Sequence, residues 1–235
     1  MSASDDVFAQ PDKFPVQARL FPLPNLVMFP HVLQPLHIFE PRYRAMVEAA
    51  LADDGLIAMA LLAPGWEADY EGRPALEPMA CVGRITMHQR LENGRFNILL
   101  AGLNRVRIVG ESPPTKLFRE AQVELCEDFY SPAGSPRRAG LQRRLLEMFS
   151  RSLPDLPECR EQLESLLAGD VCLGTLTDII AYALDLTLPL KERLLAETDV
   201  DRRAALLVAH LERGSVLPTL AGARSPVYPP GFSEN

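Results

Sequence analysis

Two periodicities divide this chain. As far as residue 127, apolar positions recur mostly every second residue or in short continuous runs, whereas beyond residue 138 they recur every third or fourth. QARLFPL (17–23) reads as a short strand ended by Pro22 and Pro24, and VMF (27–29) is followed by Pro30; such punctuation permits only short or edge strands. From Pro41 the period becomes 3.6. Tyr43, Met46, Val47, Ala50 and Leu51 form one stripe, with Arg42, Arg44, Glu48 and Asp53 off it. This predicts an amphipathic helix opened by proline at its first position and stopped by Asp53-Asp54-Gly55. Glu40, just before it, places a negative charge where a helix N-terminus favours one. Next, LIAMALLA (56–63), bounded by Gly55 and Pro64-Gly65, suits a buried strand, and GWEADYEGRPALEP (65–78) an exposed loop long enough to carry function.

CVGRITMHQRLE and RFNILLAG flank Asn93-Gly94, the pair favoured in a two-residue type I′ hairpin because both turn positions need positive φ. That turn predicts Leu91 opposite Phe96, Gln89 opposite Ile98 and Met87 opposite Leu100. Two further strands are expected at 103–110 (LNRVRIVG) and 118–127 (FREAQVELCE). The reading is therefore a flexible N-terminus over 1–13, a β-rich part over 14–127 with one helix, and a Pro/Gly/Ser-rich linker over 128–138. A helical part follows over 139–213, and then a proline-bearing tail over 214–235 that is extended or disordered. Helices are expected at 138–152, 158–168, 174–184, 189–196 and 199–213. The last is N-capped by Thr198 and buries Val200, Ala204, Leu207, Val208 and Leu211.

Composition narrows the function classes. With 24 Lys+Arg against 31 Asp+Glu the net charge is −7, which disfavours nucleic acid as a partner. No apolar window is long enough for a membrane span and the first residues lack a signal peptide's apolar core, so a cytoplasmic location is expected. The four cysteines, Cys81, Cys126, Cys159 and Cys172, are widely spaced in apolar contexts and read as reduced core residues. His31, His37 and Glu40 have no metal-ligand spacing, and His37 reads as a hydrogen-bonded strand histidine. No Gly-x-Ser-x-Gly elbow is present.

Three segments together resemble a known family. LFPLPNLVMFPHVLQPLHIFEPRYRAMVEAAL (20–51) closely resembles the opening of the N-terminal domain of Lon proteases. ACVGRITMHQRLENGRFNILLAGLNRVRIV (80–109) is similar to that family's hairpin and Gly-Leu-x-Arg-Val-Arg-Ile strand, and LTDIIAYALDLTLPLKERLLAETDVDRRAALLVAHL (176–211) to its helical module. The resemblance spans roughly residues 17–213. It implies an α+β fold: an N-terminal PUA-like β pseudobarrel with one inserted helix, followed by a C-terminal α-helical bundle. It also implies a role in holding unfolded or partner polypeptide, without catalysis and with no cofactor. The ATPase and Ser-Lys protease of full-length Lon are not matched: the lysines are Lys13, Lys116 and Lys191, and none follows the glycine-rich loop that cradles phosphates.

Four residues stand out as candidate binding groups. Trp66 and Tyr70 lie in the loop among Glu67, Asp69 and Glu71, where they either grip a peptide or fold back onto the barrel rim. Tyr43 lies on the helix stripe, which suits a core residue as well as a contact. Arg42 either remains a surface charge or ties the helix start to the loop above. An alternative, RNA-binding reading rests on alternate-position arginines, Arg84 and Arg90 on one strand and Arg105 and Arg107 on another. The competing reading is a solvated sheet face with cross-strand partners.

Overall fold

The computed structural model describes Phe8 and residues 16–70, 72–152 and 171–213. It divides after Cys126 into two compact units. The first contains β1 (Gln17–Leu23), β2 (Leu33–Ile38), α1 (Pro41–Leu51), β3 (Leu56–Leu62), β4 (Leu76–Arg90), β5 (Phe96–Glu111) and β6 (Arg119–Cys126). Hydrogen bonding runs β5-β4-β3-β1-β6, and β6 returns to β5, closing a five-stranded barrel with β2 as an additional strand. β1 and β3 are parallel, joined through β2 and α1; every other pairing is antiparallel.

Alternation along the strands explains the layers. Ala18 and Leu20 of β1, Leu56, Ala58 and Ala60 of β3, and Ala80 and Val82 of β4 share one buried cluster with Leu103, Val106, Ala121 and Val123. The abundance of alanine suits a narrow barrel filled by its own side chains. Ile57, Met59 and Leu61 alternate with these, so they point to the other side of β3, and that strand is buried throughout. The apolar stripe of α1 covers the outer side of β1 and β3: Tyr43, Met46, Val47 and Ala50 are buried, and Tyr43 packs on Phe21 with ring centroids 4.5 Å apart. Each of the large side chains on that stripe contributes about 1.5–3 kcal/mol through burial. Arg19 on β1 pairs with Asp53 and Asp54, fixing the end of α1, and Gly55 turns the chain at φ +72°.

β5 departs from the expected two strands at 95–102 and 103–110: it is one strand of 16 residues. One of its edges serves two partners in succession, β2 along Phe96 to Ala101 and β6 along Arg105 to Glu111. At the handover Gly102 donates to the Val32 carbonyl and accepts from the His31 amide, each at 2.9 Å. Its role is close approach: a Cβ there would lie 2.1 Å from the Phe29 carbonyl oxygen. Val27, Met28 and Phe29 are buried but form no strand, because their backbone passes over β5 at this point without entering the sheet.

The hairpin register also differs from expectation. Asn93 and Gly94 do have positive φ, 69° and 72°, but the connection is longer, with the Leu91 amide bonded to the Arg95 carbonyl at 2.8 Å. Arg90 faces Phe96, Gln89 faces Asn97 and Met87 faces Leu99, one residue out of the predicted register, and a bulge at Thr86 then shifts the ladder so that Ile85 faces Leu100. Met87, predicted opposite Leu100, is 46% exposed. Contacts outside the hairpin favour this arrangement: its tip lies against α1, where Arg90 pairs with Glu48 and Arg44 fills the space beside Gly94.

The second unit holds α2 (Ser135–Ser152), α3 (Leu173–Ala183), α4 (Leu188–Ala196) and α5 (Val200–Glu212). The helix expected at 158–168, the N-terminal segment over 1–13 apart from Phe8, Cys159 and the tail over 214–235 lie outside the described residues. α2 begins three residues earlier than expected. The segment before it is bonded into this unit: the Phe129 amide donates to the Thr198 carbonyl at 2.8 Å and the Val200 amide to the Phe129 carbonyl at 3.0 Å. Asp199, not Thr198, caps α5, accepting from the amides of Asp201 and Arg202. The stripe from Val200 to Leu211 is buried, and with it Arg203, which is fully buried. Its guanidinium forks onto the Asp128 carboxylate at 2.9 and 2.6 Å, donates to Thr177 Oγ1 at 3.0 Å and to the Glu197 carbonyl at 2.8 Å, and lies 3.4 Å from Asp178. No helix among the described residues is long and apolar enough to cross a membrane.

Candidate functional site

Arg42, Tyr43, Trp66 and Tyr70 converge on one side of the barrel unit. Proline at the first turn of α1 sets the helix axis, so Tyr43 points to the core and Arg42 to the loop after β3. That loop turns at Gly65, φ +91°, and then forms a single 3-10 turn, Trp66–Asp69, which brings Trp66 and Tyr70 together edge to face with centroids 5.5 Å apart. The Arg42 guanidinium lies over both neighbouring tyrosines, 4.9 Å from the Tyr70 ring centroid and 4.7 Å from that of Tyr43. Arg42 Nη1 also donates to the Tyr70 carbonyl at 3.3 Å.

Glu40 completes the arrangement. It occupies the N-cap position of α1 but makes no side-chain cap bond. Instead one carboxylate oxygen accepts from Arg42 Nε at 2.8 Å and the other from the Tyr70 hydroxyl at 3.0 Å. The favourable charge at a helix N-terminus is thus combined with a clamp on the loop. Burial and the adjacent Glu40 carboxylate both raise the pKa of Tyr70, so it stays a neutral hydrogen-bond donor. Burial raises that of Tyr43 further, and its hydroxyl donates to the Pro22 carbonyl at 3.1 Å, making it a wall of the site more than a contact surface. Trp66 and Tyr70 remain half-exposed.

A second clamp holds the far end of the loop. Arg119, nearly buried, donates through Nη1 to the Pro74 carbonyl at 2.8 Å and forms a two-pronged pair with Glu111. Arg73 joins the same carboxylate at 2.8 Å. Burial works against the charged form of Glu111, but the two guanidinium groups outweigh it and its pKa is lowered. Asp69 accepts from the Arg73 amide at 3.3 Å, closing the loop on itself. The aromatic pair therefore sits on a loop fixed at both ends, a low-entropy platform suited to side-chain contact.

The loop presents half-exposed ring surface beside the Arg42 guanidinium. His37, beside it on β2, is hydrogen-bonded through Nδ1 to Asn97 Oδ1 at 2.7 Å. Among the described residues no three His, Cys, Asp or Glu side chains form a metal-binding group.

The alternative arginines reach different surroundings. Arg105 is only 3% exposed, Arg84 is half-buried, Arg90 is exposed but paired with Glu48 and laid over the Phe96 ring, and Arg107 is exposed. They form no continuous exposed row. Of the cysteines, Cys81 is buried as expected, Cys126 is half-buried and Cys172 is exposed at the N-cap of α3, a correction to the reading of all as core residues.

Arg73, Glu111 and Arg119 were not singled out by sequence pattern. Glu40 was legible as a helix-start charge and weighed with His31 and His37, but not as a clamp, and the Arg119–Pro74 bond joins residues 45 apart with no local signal.

Comparison with known proteins accounts for this architecture. The family model of the ATP-dependent protease La (LON) substrate-binding domain matches residues 17–213. Lon protease of Roseiflexus castenholzii is 30% identical over 206 residues, 86% of this chain and 25% of that protein. Lon protease of Dictyoglomus thermophilum is 25% identical over 211 residues, 87% of this chain and 25% of that protein. This chain thus spans about a quarter of the length of the curated relatives it matches. The fold is shared with solved structures. The N-terminal domain of Mycobacterium avium complex Lon protease aligns with TM-score 0.65 and 18% identity, covering 83% of this chain and 98% of that one. The Lon N-terminal domain protein from Xanthomonas campestris aligns with TM-score 0.55 and 22% identity, covering 82% and 97%. The family match begins at the first residue of β1 and ends one residue past α5, taking in barrel and helices alike, and the chain belongs to the family of Lon substrate-binding domains.

Proposed function

We propose that this protein binds polypeptide segments, without chemistry of its own, and that the contact surface is the Trp66–Tyr70 pair braced by Arg42 and Glu40. The observation that carries this reading is the half-exposed aromatic pair on a loop clamped at both ends, in a chain of the substrate-binding family. Aromatic and arginine side chains supply most of the energy at protein contacts, and a rigid platform loses little entropy on binding. The ligand that fits is an apolar or aromatic segment, as an unfolded chain presents.

Trp66 is the only tryptophan in the sequence, so its emission reports directly on this surface. Titration with a reduced, alkylated protein rich in apolar residues should shift and saturate that emission. Isothermal calorimetry should show binding weakened about thirtyfold in Trp66→Ala, corresponding to a contact worth about 2 kcal/mol. Saturable binding with equal affinity in Trp66→Ala and Tyr70→Ala would move the site elsewhere; no saturable binding of any unfolded chain would overturn the function.

A further inference from the structure

We infer that the helical unit carries a second, separate binding groove, between α2 and α5, that takes an acidic polypeptide segment. Its volume is about 770 Å³, within the roughly 300–1,000 Å³ of typical ligand sites. Arg137, Leu141 and Arg144 line one side, at the spacing that puts residues on one helix stripe; Arg202 and Ala205 line the other. The two arginines of α2 are two turns apart, about 10 Å along the axis.

Charge decides the occupant. Two carboxylates, Asp199 and Asp201, also line the groove, but both are engaged. Asp199 caps α5, accepting from the amides of Asp201 and Arg202 at 3.0 and 3.2 Å. Asp201 is held by a two-pronged bond from Arg138, each prong 2.8 Å. Arg137 and Arg202 stand exposed on the rim, Arg202 with 76% of its side chain accessible and only a long 3.7 Å approach to Asp199. Arg144 pairs with Glu212 at the end of the groove, where both side chains remain largely exposed and exchangeable. The lining thus sets three arginines against two engaged carboxylates, with apolar surface from half-buried Leu141 and from exposed Ala133 and Ala205. A segment with carboxylates about two helical turns apart and apolar side chains between them satisfies both. A nucleic acid is less well matched: its phosphates seek a continuous positive track, and the lining here offers three arginines.

This groove lies in a different unit from Trp66, and its test does not depend on that site. The test follows the fluorescence anisotropy of a labelled short peptide of glutamate, alanine and leucine, titrated with the full chain at low and high salt, beside the same peptide with glutamine for glutamate. The glutamate peptide should bind saturably and about fivefold or more tighter than the glutamine peptide, with the difference shrinking at high salt. The double variant Arg137→Ala/Arg202→Ala should lose about two- to fivefold per arginine, while Arg137→Lys/Arg202→Lys retains most of the affinity. Circular dichroism verifies that each variant is folded, and the lysine pair preserves the test if the alanine pair is not. Equal binding of both peptides, no loss in the folded alanine variant or equal loss in the lysine variant would overturn the proposal. So would a single-stranded oligonucleotide that displaces the labelled peptide at lower concentration than unlabelled peptide does.

Discussion

Replacing Arg203 with methionine should strongly destabilise the helical unit. Methionine has a similar reach, so the substitution removes charge and hydrogen bonds with little change in volume. Four hydrogen bonds disappear, two to Asp128 and one each to Thr177 and Glu197, and the fully buried Asp178 loses the guanidinium 3.4 Å away. Removing one partner of a buried ion pair costs about 3–5 kcal/mol, because the charge left behind has already lost its water. Against a typical total of about 5–15 kcal/mol for a domain, this is a large share. Urea unfolding at neutral pH, followed by far-ultraviolet circular dichroism, measures the loss, and amide exchange localises it to α3 and α5. The charge-compensated variant Arg203→Met/Asp128→Asn/Asp178→Asn should recover at least about half of it, since neutral replacement of a whole buried pair is often tolerated. A single variant within about 1 kcal/mol of the parent would refute the view that this network holds the helices together.

Three other outcomes are expected. Gly102→Ala should destabilise the barrel unit by about 1–3 kcal/mol in chemical denaturation, because the new Cβ would meet the Phe29 carbonyl oxygen, a backbone atom that cannot swing aside. Glu111, its folded pKa lowered from an ordinary 4.5 by Arg119 and Arg73 against the opposing effect of burial, contributes stability that is full above that ordinary value and is lost as pH falls through its folded pKa. Trp66 emission should therefore report a loosening loop below about pH 4.5, with that transition absent in Glu111→Gln. Burial raises the Cys172 thiol's pKa, but hydrogen bonds from Thr175 and Tyr130 more than offset this, so brief iodoacetamide treatment followed by peptide mass spectrometry should find Cys172 alkylated and Cys81 untouched.

The β-then-α order, the α1 stripe, the fully buried β3 and the positive φ at Asn93-Gly94 were legible because each rests on local periodicity or turn chemistry. The hairpin register was not. It depends on the Thr86 bulge and on packing of the tip against α1, neither of which the alternation of the two strands encodes. Gly102 reads locally as a strand end, yet it continues β5, because its missing side chain accommodates backbone from the Phe29–Val32 region, about 70 residues earlier in sequence. Arg203 sits one turn after Val200 on the buried stripe, but a charged residue there reads as a flank unless Asp128 and Asp178 are known to be near. The platform was legible only in pieces: Arg42, Tyr43, Trp66 and Tyr70 each had a separate reason for attention, while Glu40, which links helix start and loop, was obscured by its helix-start role.

Barrel closure has a consequence for solubility as well as for binding. Five strands are joined into the ring, so among the described strands β2 alone has no partner strand along the whole of one edge. Such an edge is a template for pairing with another chain, and the usual defence is to interrupt its row of amides. Pro35 stands within β2, opposite Leu99, and supplies no amide hydrogen at the middle of an edge that a fibril or a neighbouring copy could extend.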